Sequence, residues 1–158
     1  MKLFPIKYIV LILLVLLFNS CKDNHIYQKY QKIPDYVWNS NYSVSFDFNL
    51  KDTNSIYNVY FNIRNSATYP YSNIWVILQK PDNIGMLIKK RYEFVLANSD
   101  GSWRGVGLGD IFDNHFILEE RVKFKQIGEY TYTFKQNMRV DDIKGIMDIG
   151  LEIEKLTP

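Results

Sequence analysis

From Asn41 onward, apolar and polar residues alternate with a period of two. Val44, Phe46, Phe48 and Leu50 interleave with Ser43, Ser45, Asp47 and Asn49, the pattern of a strand with one buried and one wet face. Lys51-Asp-Thr-Asn-Ser55 is turn chemistry, and Tyr57, Val59, Phe61 and Ile63 resume the alternation, so the two runs predict a hairpin. Residues 65–72 read as a loop around Tyr69-Pro70-Tyr71, because Pro70 holds Tyr69 extended. Residues 73–79 are apolar enough (Ile74, Trp75, Val76, Ile77, Leu78) to predict a strand covered on both faces. Further strands are predicted over 86–97, 115–125, 130–135 and 147–153, and one short helical turn around Val140-Asp141-Asp142-Ile143. With turns between strands and no long helical period, the pattern predicts an all-β fold. It is read as a single antiparallel β-sandwich, jelly-roll or immunoglobulin-like, of about seven or eight strands.

The N-terminus breaks the alternation. Lys2 and Lys7 precede eleven apolar residues, Tyr8 to Phe18, and Asn19-Ser20-Cys21 follows. This is the order of n-region, h-region and small-residue boundary in a secretory signal. Eleven helical residues rise about 16 Å, against about 30 Å of hydrocarbon, too short for a stable span. The chain's one cysteine stands where a bacterial lipoprotein signal places its acylated residue. An ordinary signal peptide and an uncleaved anchor are the alternatives. The predicted organisation is a lipoprotein signal over 1–20, a lipidated tether and extended lead-in over 21–36, and the sandwich over 37–158. Removing residues 1–20 takes away two lysines and leaves 17 Lys+Arg against 17 Asp+Glu. The mature chain is then neutral and carries no general basic footprint for nucleic acid. With Cys21 acylated no thiol remains for a disulfide or a cysteine metal site.

The 98–114 stretch is the least strand-like, holding four of the eight glycines at 101, 105, 107 and 109. Their spacing fits neither a dinucleotide loop nor a P-loop. The glycines are expected to serve positive φ angles or close packing, with Trp103 and Phe112 pinning the loop. Asp110, Asp113 and His115 invite a metal or acid–base reading, but their spacing matches no ligand motif, and Asp in such segments usually satisfies backbone N–H groups. His25 lies in the tether, and no serine sits in a nucleophile elbow. No catalytic residue, metal or cofactor is therefore assigned. Exposed aromatics such as Trp75, Trp103, Tyr69 and Tyr71 are candidates for an interface or for sugar stacking.

Five blocks carry a resemblance: Tyr57-Asn-Val-Tyr-Phe-Asn-Ile-Arg-Asn65, Tyr69-Pro-Tyr-Ser-Asn73, Gly101-Ser-Trp-Arg-Gly-Val-Gly-Leu-Gly-Asp-Ile-Phe-Asp113, Gly128-Glu-Tyr-Thr-Tyr132, and Met138 with Gly145-Ile-Met-Asp-Ile-Gly-Leu151. Together they are similar to the GldH gliding-motility lipoproteins of the Bacteroidetes, over essentially the whole mature chain. The resemblance implies a non-enzymatic, lipid-anchored cell-envelope protein needed for gliding and for the associated type IX secretion. It implies no cofactor, and carries over only Cys21, as the lipidation site. Expected partners are the membrane, through the lipid, and other gliding or secretion envelope proteins. The expected partner surface is Tyr69, Tyr71, Trp103, Asp110, Phe112 and Asp113. A surface glycan-binding β-sandwich lipoprotein is the competing reading.

Overall fold

The computed structural model describes residues 24–82 and 84–156; Cys21 and the signal segment lie outside them. Among the described residues eleven strands form, in chain order β1 (His25–Lys32), β2 (Val37–Asn39), β3 (Ser43–Leu50), β4 (Ile56–Ser66), β5 (Asn73–Pro81), β6 (Leu87–Val95), β7 (Val106–Leu108), β8 (Ile111–Val122), β9 (Gly128–Gln136), β10 (Asp142–Lys144) and β11 (Ile146–Leu156). A five-stranded sheet runs β1-β11-β4-β8-β7 and a four-stranded sheet runs β3-β9-β5-β6, with β10-β2 as a small ribbon. Every pairing is antiparallel. The all-β sandwich is as the alternation predicts, with more strands than the seven or eight expected.

The alternation places one apolar row per strand between the sheets. Val44, Phe46, Phe48 and Leu50 from β3 are buried against Val59, Phe61 and Ile63 of β4 and Ile149, Leu151 and Ile153 of β11. Phe61 joins the layers, its ring 4.6 Å from Phe94 and 4.8 Å from Phe134. The ribbon adds Trp38 and Ile143, both buried. Ion pairs to one carboxylate also cross between the sheets. Lys80 of β5 meets Glu119 of β8, each side chain only 11% exposed, and Lys80 lies over the Tyr132 ring. Lys90 approaches the same carboxylate at 3.3 Å.

Four local expectations are corrected. The runs 43–50 and 57–63 do not pair: β3 joins β9, whereas β4 joins β11 and β8. Alternation specifies which face of a strand is buried but not its neighbour. The 51–55 turn instead carries the chain from one sheet to the other, held by Asp52, which accepts from Asn54 N–H and Ser55 Oγ. No helix forms at 140–143. The Gln136 amide donates to the carbonyls of Val140 and Asp141, and Asp142–Lys144 pairs with β2. Strand β5 is covered on one face only: Ile74, Val76 and Leu78 are buried while Trp75 and Ile77 are half-buried. The glycine stretch is largely a hairpin, β7 to β8, closed by a two-residue turn with Gly109 at φ +63°.

The segment read as an extended lead-in contains β1, which pairs with β11 along seven register positions. A 3-10 turn, Pro34–Tyr36, follows it.

Candidate functional site

Two loops build an aromatic cluster at one end of the sandwich. In the β4–β5 loop, Tyr69 is buried at 3% exposure and its hydroxyl donates to Asn73 O at 2.9 Å, while burial pushes its phenol well above the usual tyrosine range. In the β6–β7 connection, Ala97 and Trp103 form an isolated bridge, and Arg104 N–H donates to Leu96 O. Tyr69 then meets Tyr71 edge-on at 5.7 Å and Trp103 at 6.3 Å, and Trp103 meets Phe112 at 5.6 Å. Gly107 lies directly opposite Phe112; a Cβ there would fall 2.8 Å from the ring. Tyr69 is the buried floor, while Tyr71 is exposed and Trp103 and Phe112 are half-buried.

The carboxylates do not gather with the aromatics. Asp110 is exposed in the β7–β8 turn, its carbonyl accepting Ala67 N–H at 2.8 Å. Asp113 accepts from Arg64 Nε at 2.7 Å, and Arg64 Nη1 also reaches Asp148 at 3.2 Å. Those hydrogen bonds, Asp113 first, raise the arginine pKa further. His115 contacts neither aspartate, stacking on Tyr60 at 4.2 Å with its Nε2 3.3 Å from Glu152. Among the described residues, no group of three or more His, Cys, Asp or Glu is placed to hold a metal ion.

Glu152 is the polar centre that sequence reasoning missed. On β11 it occupies the face opposite Leu151 and Ile153, where alternation predicts a solvated acid, yet it is 3% exposed. Side chains from three neighbouring strands cover it. Gln28 Nε2 donates at 2.9 Å and Asn62 Nδ2 at 3.2 Å, and His25 Nδ1 and His115 Nε2 lie 3.0 and 3.3 Å from its other oxygen. A buried carboxylate needs such partners to offset its lost hydration. Asn62 Oδ1 is buried beside it with no hydrogen-bond partner among the described residues. The signal in the sequence is that polar residues recur on one face of β4, β8 and β11, and their proximity is not readable before the pairing is known. His25, placed in the tether by sequence, belongs to this cluster.

The fold and its chemistry define a class: a two-sheet sandwich with no metal cluster among its described residues, whose outward features are an aromatic cluster and a polar sheet face. No helix among those residues is long and apolar enough to cross a membrane. Comparison with known families adds the particular. The model for the GldH lipoprotein family matches residues 25–153, and the chain belongs to that family. A gliding motility lipoprotein GldH homolog of Christiangramia forsetii is 31% identical over 153 residues, covering 92% of this chain and 93% of the relative. The gliding motility lipoprotein GldH of Flavobacterium johnsoniae is 30% identical, covering 92% and 94%. Among solved structures, the VP2 subviral particle of infectious bursal disease virus aligns with TM-score 0.37 and 10% identity, over 84% of this chain and 33% of that one. TmCBM61 in complex with beta-1,4-galactotriose aligns with TM-score 0.36 and 11% identity, over 89% and 99%. At those scores neither likeness carries a functional argument.

Proposed function

We propose that this protein is a non-catalytic, membrane-anchored component of a gliding apparatus and of the type IX secretion associated with it. The family match across residues 25–153, with relatives named as gliding motility lipoproteins, is the observation that carries this reading. In it, residues 1–20 are removed and Cys21 takes the lipid, each buried CH₂ contributing about 0.8 kcal/mol of membrane affinity. The sandwich is thereby concentrated at an envelope membrane beside other machine components. Tyr71, Trp103 and Phe112, with Tyr69 as their floor, form the partner-binding surface; Asp110 borders it from the turn and Asp113 from the neighbouring sheet face. Half-buried aromatics on a framework fixed by β-bridges are the residues that dominate protein interfaces.

The test is a clean deletion in the native host, scored for colony spreading and for proteins released to the medium. Loss of both, restored by the wild-type gene but not by Cys21→Ala, is expected. Normal spreading and secretion after deletion overturn the reading. A Trp103→Ala protein that folds and complements fully removes the aromatic cluster as the partner surface.

A further inference from the structure

The outer face of the four-stranded sheet carries a groove of about 660 Å³ that the family comparison does not explain. It is bounded by Tyr71 on one side and the loop after β9 on the other, with Trp75, Arg91, Met138, Arg139 and Val140 along its walls. No acid lines it. Arg91 and Arg139 are both exposed and neither has an ion-pair partner among the described residues. Of the nearby acids, Glu93 borders the groove, opposite Trp75 and accepting from the wall residue Asn73, whereas Asp141 accepts from Ser40 Oγ and Asp142 from Asn39. Two guanidinium groups lining a groove bordered by one carboxylate leave a net positive charge to be completed from outside.

The arrangement of Arg91 decides what completes it. Its guanidinium lies 4.6 Å from the centre of the Trp75 ring. Such stacking fixes the planar fork and leaves its N–H edge for a carboxylate. The same contact covers a face of the indole that a sugar ring would need. Of the remaining walls, Met138 and Val140 offer apolar surface for side chains, and Asn73 and Asn137 offer amides that can pair with a peptide backbone. We propose that this groove binds an acidic segment of a partner protein, with Arg91 and Arg139 taking its carboxylates and Tyr71, Met138 and Val140 its apolar side chains. The site lies beyond the aromatic cluster and shares only Tyr71 with it.

The probe is a fluorescein-labelled ten-residue peptide of alternating Glu and Val, titrated by fluorescence anisotropy against the full-length lipoprotein in detergent. A Gln–Val peptide and an oligomer of galacturonic acid serve as comparisons. Saturable binding of the Glu–Val peptide is expected, weakening as salt is raised. Arg91→Gln and Arg139→Gln are each expected to weaken it about tenfold, the cost of one charge-assisted contact. Arg91→Lys, which keeps charge but loses the fork, is expected to fall between. Both arginines are exposed, so circular dichroism should show the variants folded. Equal binding by the double Gln variant, equal binding of the Gln–Val peptide, or no binding at all overturns the proposal. Binding of the galacturonate oligomer in place of the peptide also overturns it and assigns the groove to an anionic glycan. The variants leave Cys21 and Trp103 intact, so failure here is separable from failure of the proposed function.

Discussion

Breaking the Lys80–Glu119 pair is expected to be costly in one direction and mild in the other. Both side chains are 11% exposed, and they join β5 of one sheet to β8 of the other. Glu119→Leu leaves the Lys80 ammonium with only the Tyr132 hydroxyl at 3.4 Å and the ring beneath it. That is a buried charge without a counter-ion, and the expected loss is about 3–5 kcal/mol. Lys80→Met leaves the carboxylate with Lys90, 3.3 Å away on a half-exposed side chain, so the loss is nearer about 1–3 kcal/mol. The double variant removes both charges and fills the site with apolar volume. It should return to within about 1 kcal/mol of the parent, since apolar replacement of a buried pair is often neutral. Guanidinium unfolding followed by tryptophan fluorescence gives the four free energies of the cycle, with an expected coupling of about 2 kcal/mol or more. Additive single losses, or equal costs for the two single variants, would refute the reasoning. Either result would mean that water reaches the pair from between the sheets.

Glu152→Ala should cost about 1–3 kcal/mol, chiefly because Asn62 is then left buried with neither end of its amide bonded. Glu152→Gln can still accept from one donor and can donate to Asn62 Oδ1, so its loss in the same unfolding assay should be smaller; a reversed order would count against the cluster. Gly107→Ala should lower the melting temperature through the 2.8 Å clash with Phe112, at a cost of about 1–3 kcal/mol, and alter the near-ultraviolet circular dichroism of Trp103. An unchanged spectrum and melting point would show that the ring moves aside freely. Hydrogen bonds from Lys155 first, then Ser55 and Asn54, hold the Asp52 carboxyl well below the usual carboxylate range. A depressed folded-state pKa contributes stability above the unfolded value of about 3.9 and loses it as pH falls through the folded value. Melting curves of the parent and Asp52→Asn should therefore converge below about pH 4, and a constant gap across acid pH would refute the assignment.

How far the structure was legible depended on the range of the interaction. Alternation at 43–50, 57–63, 130–135 and 147–153 is local, and each run became a strand with its apolar row inside. Pairing is not local. Nothing near Phe48 indicates that its strand lies beside Tyr130 rather than Tyr57, because both neighbours alternate equally well. The same limit hid the Glu152 cluster, whose members come from positions 25, 28, 62, 115 and 152. The aromatic site was partly readable, since Tyr69-Pro70-Tyr71 and the glycine stretch are unusual for strands. Asp113 was misleading in that setting. It directly follows Phe112 on β8, so alternation turns it to the other face, where it meets Arg64 while Phe112 meets Trp103. The helical turn near 140 failed because Gln136, outside the window, captures the carbonyls a helix would use.

The position of β1 has a mechanical consequence. With a lipid on Cys21, the four steps to His25 reach at most about 14 Å, so tension from the membrane enters the domain at the first residue of an edge strand. Drawn along the strand axis, that load is shared in shear by the seven β1–β11 register positions. Drawn sideways, it peels them one at a time. The end that would open first is where His25 and Gln28 close over Glu152, so side-chain contacts brace the backbone ladder where the strain arrives. A moving cell surface that tugs on this anchor tests that clasp before it tests the sandwich behind it.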